Sequence, residues 1–330
     1  MSFWTQEEFR ILARLREGFL KGSAGLADYW KGAEELSLYD RTFAQRIGWK
    51  WDAVLSELSV RGWMPPAQRL VDWGCGTGIA SRRVLEHWQG HFEAVTLSDR
   101  SPQARAFAFE RLREAGATRN VRVVAPEETD CEGAVVLASH VLSELTHEQL
   151  RKALGQWKKA AALIWVESAT HDNARRMVAE GREFFLEAGW KAVAPCTFSG
   201  ACPLLRGENE RHWCHHFARV PSEVHQDQGW REISLRLNLD LRVLPYSFVV
   251  LERDSGREPV SGVSRVIGTA REFKGHLKVL ACDAGGVQDW MLQKRDAPDL
   301  YKELRKCEGL PLYRWRVEGG RIVEGVGKWV

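Results

Sequence analysis

Cys196, Cys202 and Cys214 fall in one short run, A-P-C-T-F-S-G-A-C-P-L-L followed closely by R-H-W-C-H-H-F. Thiolates are soft ligands, so three in close succession point to a metal or an iron–sulfur group. The spacing C-x5-C-x11-C lacks the paired C-x2-C knuckles of zinc ribbons. Iron–sulfur groups tolerate uneven spacing and usually take four thiolates. The residues alone leave the fourth ligand open among His215, His216, Cys282, Cys307, Cys131 and Cys75. Neighbouring residues on a strand face opposite ways, so at most one of His215 and His216 shares such a site.

A second group of residues has a different chemistry. V-D-W-G-C-G-T-G carries an acid before three glycines at alternate positions, Gly74, Gly76 and Gly78. Glycine lets a backbone turn tightly and approach a ligand closely. The spacing departs from G-x-G-x-x-G, which argues against a bound pyrophosphate. Asp72 before G-x-G-x-G matches the pattern of enzymes that use S-adenosylmethionine. Asp99 follows the next apolar run, where a carboxylate can accept from ribose hydroxyls. Cys75, inside the loop, reads as a small packing residue. No catalytic motif accompanies the loop. The segment A-S-H-V-L-S-E-L lacks the Asn/Asp-Pro-Pro-aromatic run of amine methylation. Pro195-Cys196 lies outside the loop where a cytosine-attacking cysteine belongs. His140, Ser143 and Glu144 are the polar residues nearest the acceptor side, though helix capping would explain them equally well. Catalytic residues stay unassigned.

These residues need elements to hold them. Apolar positions at helical spacing make residues 1–66 a helical region, ended by Pro65 and Pro66. An alternating series follows, with strands at 69–73, 93–97, 121–124, 134–138 and 161–167. Helices are predicted at 79–87, 102–115, 146–158 and 172–189. Such alternation implies a parallel, doubly wound sheet. Residues 190–194 and 246–252 would complete it, with the cysteine run as an insertion at 195–240. The alternating S-L-R-L-N-L-D-L-R-V-L within that insertion reads as a strand. The expected division is a helical region at 1–66, a Rossmann-like domain at 67–252 and a β-rich module at 253–330. That module is predicted to hold short strands and one helix over 300–307.

Composition removes some classes. Hydrophobic residues at 44% and charged ones at 28% suit a water-soluble globular chain. No apolar run reaches the roughly 18 residues that span a bilayer. The polar start M-S-F-W-T-Q-E-E-F-R is not a secretory signal, so a cytoplasmic location and reduced thiols are expected. The net charge of +3 permits a nucleic-acid partner without requiring one. Arg265, Arg271, Lys274, His276 and Lys278, with Lys302, Arg305 and Lys306, could form a basic face toward RNA.

In its order of motifs the chain resembles the ribosomal small-subunit methyltransferase-like family, whose mitochondrial members are assembly factors for the small subunit of the mitochondrial ribosome. The carriers are V-D-W-G-C-G-T-G, V-V-L-A-S-H-V-L-S-E-L, I-W-V-E-S, V-A-P-C, A-C-P-L, W-C-H-H-F, S-R-V-I, G-H-L-K-V-L-A-C and Y-K-E-L-R-K. They run from about residue 66 to about residue 313. The resemblance implies an α/β, Rossmann-like methyltransferase fold with N-terminal helices, a cysteine-rich insertion and a small C-terminal β module. It implies S-adenosylmethionine at Asp72, Gly74, Gly76, Gly78 and Asp99. It also implies a [4Fe–4S] cluster on Cys196, Cys202, Cys214 and Cys282. The implied partner is the small ribosomal subunit and its rRNA, without a membrane. A eukaryotic source would make the location mitochondrial, though no transit segment is seen. Two departures touch the substrate side: Thr197-Phe198 replaces the usual Pro-His, and Glu167-Ser168-Ala169 replaces Glu-Pro-Gly. Two alternative functions remain, an active rRNA methyltransferase on the same site and a small-molecule methyltransferase with structural zinc. The methyl acceptor and oligomeric state are open.

Overall fold

The computed structural model describes residues 3–21, 30–116, 120–256, 262–306 and 311–327. Cys307, with the end of the predicted helix over 300–307, lies outside them. The chain forms two compact units. One contains Met1–Leu55, Pro65–Glu167 and Phe217–Tyr246; the other contains Ser56–Met64, Ser168–His216 and Ser247–Val330.

The first unit begins with α1 (Gln6–Lys21), α2 (Ala33–Arg41) and most of α3 (Phe43–Val60). Then come β1 (Arg69–Trp73), α4 (Ile79–His87), β2 (Ala94–Ser98), α5 (Pro102–Glu114), β3 (Asn120–Val124), β4 (Val135–Ser139), α6 (His147–Trp157) and β5 (Ala162–Ser168). The five strands are parallel in the order β3-β2-β1-β4-β5. This is a doubly wound, Rossmann-like arrangement. β4 and β5 are continuous apolar runs, as expected for parallel strands covered on both faces. Ser101 caps α5 by accepting from Ala104 N, and Thr146 caps α6 by accepting from Gln149 N.

The chain continues through α7 (His171–Arg176), a π-helical stretch at Met177–Arg182 and α8 (Glu183–Glu187). β6 (Lys191–Ala194), β7 (His216–Arg219), α9 (Gln228–Leu237) and β8 (Val243–Glu252) follow, with β6 antiparallel to β8. α9 corrects one expectation, because the alternating run at 234–244 is helical to Leu237 and becomes strand only at Val243, where β8 begins. Asp227 accepts from Trp230 N and starts a helix there. Ile233 and Leu237, one turn apart, bury against Trp4, Phe9, Leu12 and Leu38. The 3.6-residue face therefore outweighs the two-residue alternation. Asn238, in the left-handed conformation, ends the helix.

The second unit holds β9 (Ser264–Val266), β10 (Arg271–Phe273), β11 (His276–Asp283), β12 (Gly286–Gln293), α10 (Pro298–Lys306), β13 (Leu312–Glu318) and β14 (Arg321–Gly327). Their order is β10-β11-β12-β14-β13-β9, and β9 also pairs β11. That extra pairing closes five strands into a small barrel, and β10 pairs the start of β11 on the edge that β9 takes further along. Leu277, Val279, Leu292, Tyr313 and Ile322 fill it, and α10 adds Leu300 and Leu304. Among the described residues no helix is long and apolar enough to cross a membrane.

Candidate functional site

The glycine loop is fixed by backbone. Gly74 N and Cys75 N donate to Ser98 O at 2.7 and 2.9 Å, which ties the loop to the end of β2. Gly74 has φ +74°, in the left-handed region that suits glycine. A Cβ there would lie 2.5 Å from Val141 Cγ1. Asp99 Oδ2 accepts from Gly76 N at 2.9 Å, and its Oδ1 accepts from Ser101 N at 2.9 Å. Asp72 is fully buried and accepts from Ser81 N at 3.3 Å and from the Ser81 hydroxyl. Its Oδ1 is buried with no hydrogen-bond partner among the described residues. Burial pushes Asp72 up to about 6 and raises Asp99 as well. Cys75 is buried and its thiol is pushed up by that burial, as suits a packing residue. The structure thus brings Asp72, Gly74, Gly76, Gly78 and Asp99 around one turn.

Beside the loop lies a polar group that the sequence only half disclosed. His140 follows β4 with φ +56°, a conformation uncommon for a residue with a side chain. Its Nε2 is 3.1 Å from Lys50 Nζ of α3, and its Nδ1 is buried without a partner among the described residues. Burial, with Arg46 beside it, lowers Lys50 to about 8. Trp51 donates to Ser139 Oγ at 2.9 Å. Glu167, at the end of β5, accepts from Val141 N at 3.0 Å, Leu142 N at 2.9 Å and Trp165 Nε1 at 2.8 Å. Burial nevertheless pushes Glu167 up to about 7. Tyr39 of α2 is raised by burial and by Glu144, Asp40 and Asp99. Of the expected polar trio, His140 joins this group, Glu144 pairs with Arg100 at 3.6 Å, and Ser143 is exposed. Nothing in the local pattern of α2 or α3 marks Tyr39 or Lys50, because only the fold sets them beside β2 and β4.

The cysteines belong to the second unit. Cys282, on β11 opposite Arg265 of β9, has its thiol raised by burial and then by Cys196, Cys214 and Cys202. Cys214 is raised by burial and by Cys196 and Cys202, and Cys202 is pushed up to about 11 by burial and Cys196. Cys196 and Cys202 thus act electrostatically on Cys214, and all three act on Cys282. Arg182 is almost fully buried at the end of the π-helical stretch and donates from Nε to Cys196 Sγ at 3.3 Å. Burial works against its charge, but Cys196, Cys202 and Glu183 outweigh burial and hold the guanidinium protonated. Cys214 Sγ lies 3.5 Å from His216 Nε2, whereas His215 stacks on Trp213. Cys131 is buried outside this group.

A buried charged triad underlies the cysteines. Arg61 binds Glu57 at 2.8 Å and donates to Val193 O at 2.8 Å, Pro195 O at 2.8 Å and Cys196 O at 3.0 Å. Arg265 pairs with the same Glu57 oxygen. Burial pushes Glu57 up, but Arg265 and Arg61 overcome it and leave its carboxyl below the ordinary value. Arg265 was expected on a basic outer face; it is instead 3% exposed and committed to Glu57. The donor set suits a thiolate-held group, with cationic neighbours to offset the charge. Among the described residues, however, no three or more His, Cys, Asp or Glu side chains are grouped to hold a metal ion. Neither the cluster nor the zinc is carried by this geometry.

A family model described as "Rsm22: Mitochondrial small ribosomal subunit Rsm22" matches residues 46–309. Ribosomal protein L11 methyltransferase of Alkalilimnicola ehrlichii is 36% identical over 77 residues, 23% of this chain and 25% of that protein. The chain thus spans about a quarter of that curated relative's length. Among solved structures, precorrin-6y C5,15-methyltransferase of Geobacter metallireducens is similar with TM-score 0.37 and 12% identity, over 62% of this chain and 87% of that one. TYW2 of M. jannaschii, solved with AdoMet, has TM-score 0.34 and 10% identity, over 61% and 75% of the two chains.

Proposed function

The chain belongs to the mitochondrial small ribosomal subunit Rsm22 family, and on that premise we propose that it is an S-adenosylmethionine-binding protein of small-ribosomal-subunit assembly that also carries a [4Fe–4S] cluster. The observation that carries this reading is the extent of the family match. Residues 46–309 include both the glycine loop and the four cysteines Cys196, Cys202, Cys214 and Cys282. Asp72, Gly74, Gly76, Gly78 and Asp99 would hold S-adenosylmethionine, whose sulfonium supplies an activated methyl group. Cys196, Cys202, Cys214 and Cys282 would hold the cluster, with Arg182 offsetting thiolate charge. The partner is the small subunit and its rRNA. The divisions at residues 66 and 252, and the insertion at 195–240, are part of this proposal.

Anaerobic purification with iron, sulfide and zinc analysis tests the cluster. About four irons and four sulfides per chain are expected for a cubane cluster, and a colourless protein with one zinc would reject it. Calorimetry with S-adenosylmethionine tests the glycine loop, and co-sedimentation with small subunits tests the partner. The pair Lys50–His140 favours a second reading, active methyl transfer to rRNA. A lysine lowered to about 8 is partly unprotonated near neutral pH and can accept a proton from the methylated atom. Label transferred from S-adenosylmethionine to rRNA of immature small subunits would establish that reading.

A further inference from the structure

The hairpin of β10 and β11 carries an aromatic surface that neither the nucleotide loop nor the cysteines use. Arg271 pairs Lys278 across the strands, and Phe273 pairs His276. With two-residue alternation these four side chains share one face. Leu277, on the opposite face, is buried in the barrel core. The rings of Phe273 and His276 lie parallel, 6° apart in plane with centroids at 5.1 Å. Phe273 is 46% exposed. One exposed apolar residue needs no explanation. A ring stacked on a second ring at the lip of a basic groove is a different matter.

That groove is lined by Lys274, Gly275, His276, Gln293, Lys294 and Arg295, together with Pro298. Among the described residues no carboxylate lines it. Asp289, on the neighbouring strand, is paired with Arg271, and Arg295 also lies 3.7 Å from Asp296. Gly275 turns the hairpin at φ +83°, and its carbonyl accepts from Lys294 N at 3.4 Å. The turn lysine and the β12-end lysine are thereby held beside one another.

We infer that Phe273 and His276 form a stacking platform for an unpaired RNA base, with Lys274, Lys294 and Arg295 receiving the flanking phosphates. The inference rests on the rRNA-binding part of the proposed function and gives it a location. An exposed π-face is sequence-tolerant, because every base can stack on it. Bases within an A-form duplex are already stacked on each other and cannot reach such a ring. The platform therefore selects single strands, such as loops and unfolded rRNA segments.

The test uses the full chain and fluorescence anisotropy with a labelled single-stranded oligoribonucleotide and its duplex. Phe273→Ala should weaken single-strand binding on the order of tenfold and leave duplex binding unchanged. Phe273→Trp should restore it. The salt dependence should keep its slope in Phe273→Ala but flatten by about 0.7 per lost phosphate contact in Lys294→Gln and Arg295→Gln. Phe273 is exposed, so its truncation leaves the barrel core intact, and unchanged circular dichroism checks this. Wild-type affinity in Phe273→Ala, or equal losses for single strand and duplex, would overturn the platform while leaving rRNA binding intact. A wild-type chain that binds neither form would overturn both.

Discussion

Around the glycine loop three buried acids are answered by uncharged N–H and hydroxyl groups, whereas Asp40 of α2 pairs with Arg82 and Arg111. Asp99 takes Gly76 N and Ser101 N, Asp72 takes Ser81, and Glu167 takes Val141 N and Leu142 N. No arginine forms an ion pair with Asp72, Asp99 or Glu167 among the described residues, and burial raises all three. In the cysteine region, buried charge is answered by opposite charge. Glu57 meets Arg61 and Arg265, and Arg182 meets Glu183. The first arrangement leaves neutral or easily neutralised groups around the turn. The second fixes full charges in the interior, where each must keep its partner.

The largest test of that contrast is Glu57→Gln. It leaves two buried guanidinium groups without their carboxylate, and breaking such a pair costs about 3–5 kcal/mol. Ser81→Ala, which removes one donor from Asp72, should cost about 1 kcal/mol. Urea unfolding of both variants measures the two values. If Glu57→Gln cost no more than Ser81→Ala, the second region would not be held by charge.

Dependence on pH sharpens the same contrast, because the signs are opposite. Glu167 moves from 4.5 to about 7 on folding, so the folded state holds the extra proton between those values. Stability from Glu167 therefore falls as pH rises through that window. Asp72 adds the same sign between 3.8 and about 6. Lys50 moves from 10.5 down to about 8, so its penalty is relieved as pH rises between them. Glu57 is lowered instead, and its stabilisation, present above 4.5, is lost as pH falls through its folded value. Glu167→Gln should gain on the wild type by about 3 kcal/mol from about pH 4 to about pH 8. Glu57→Gln should lose against it over the acid part of that range. Unfolding at a series of pH values compares the two, and slopes of the same sign would contradict the assignment.

The two regions were not equally legible. The glycine loop was readable because its constraint is local: three alternating glycines and two acids at strand ends define the turn wherever the chain goes. The cysteines were readable as a type, and Cys282 was reached by resemblance. Their charged setting was not readable. Glu57 and Arg61 sit on a helix end that gives no sign of Cys196, and Arg265 looked like any basic surface residue. The π-helical stretch that brings Arg182 to Cys196 has no local marker either. The run at 234–244 misled for the converse reason. Its two-residue alternation is real, but the decisive partners Trp4 and Leu12 lie more than two hundred residues away in sequence.

The smallest expected effects separate two glycines of the same loop. Alanine at either position must adopt a left-handed φ, which costs about 1–2 kcal/mol. At Gly74 the new Cβ also meets Val141 Cγ1 at 2.5 Å. Val141 is held by its N–H bond to Glu167, so it cannot easily give way. Gly74→Ala should therefore cost roughly 1–3 kcal/mol. At Gly76 nothing lies within 4 Å of a Cβ, and the N–H to Asp99 survives the change. Gly76→Ala should cost about 1 kcal/mol and no more. Affinity for S-adenosylmethionine should not follow this order. The open space beside Gly76 is space a ligand can use, so a methyl group there removes binding while barely touching the fold. Paired urea unfolding and calorimetry would read both quantities. If Gly76→Ala bound S-adenosylmethionine as well as the wild type, the ligand would not lie over this part of the loop, and the glycine would serve only the turn.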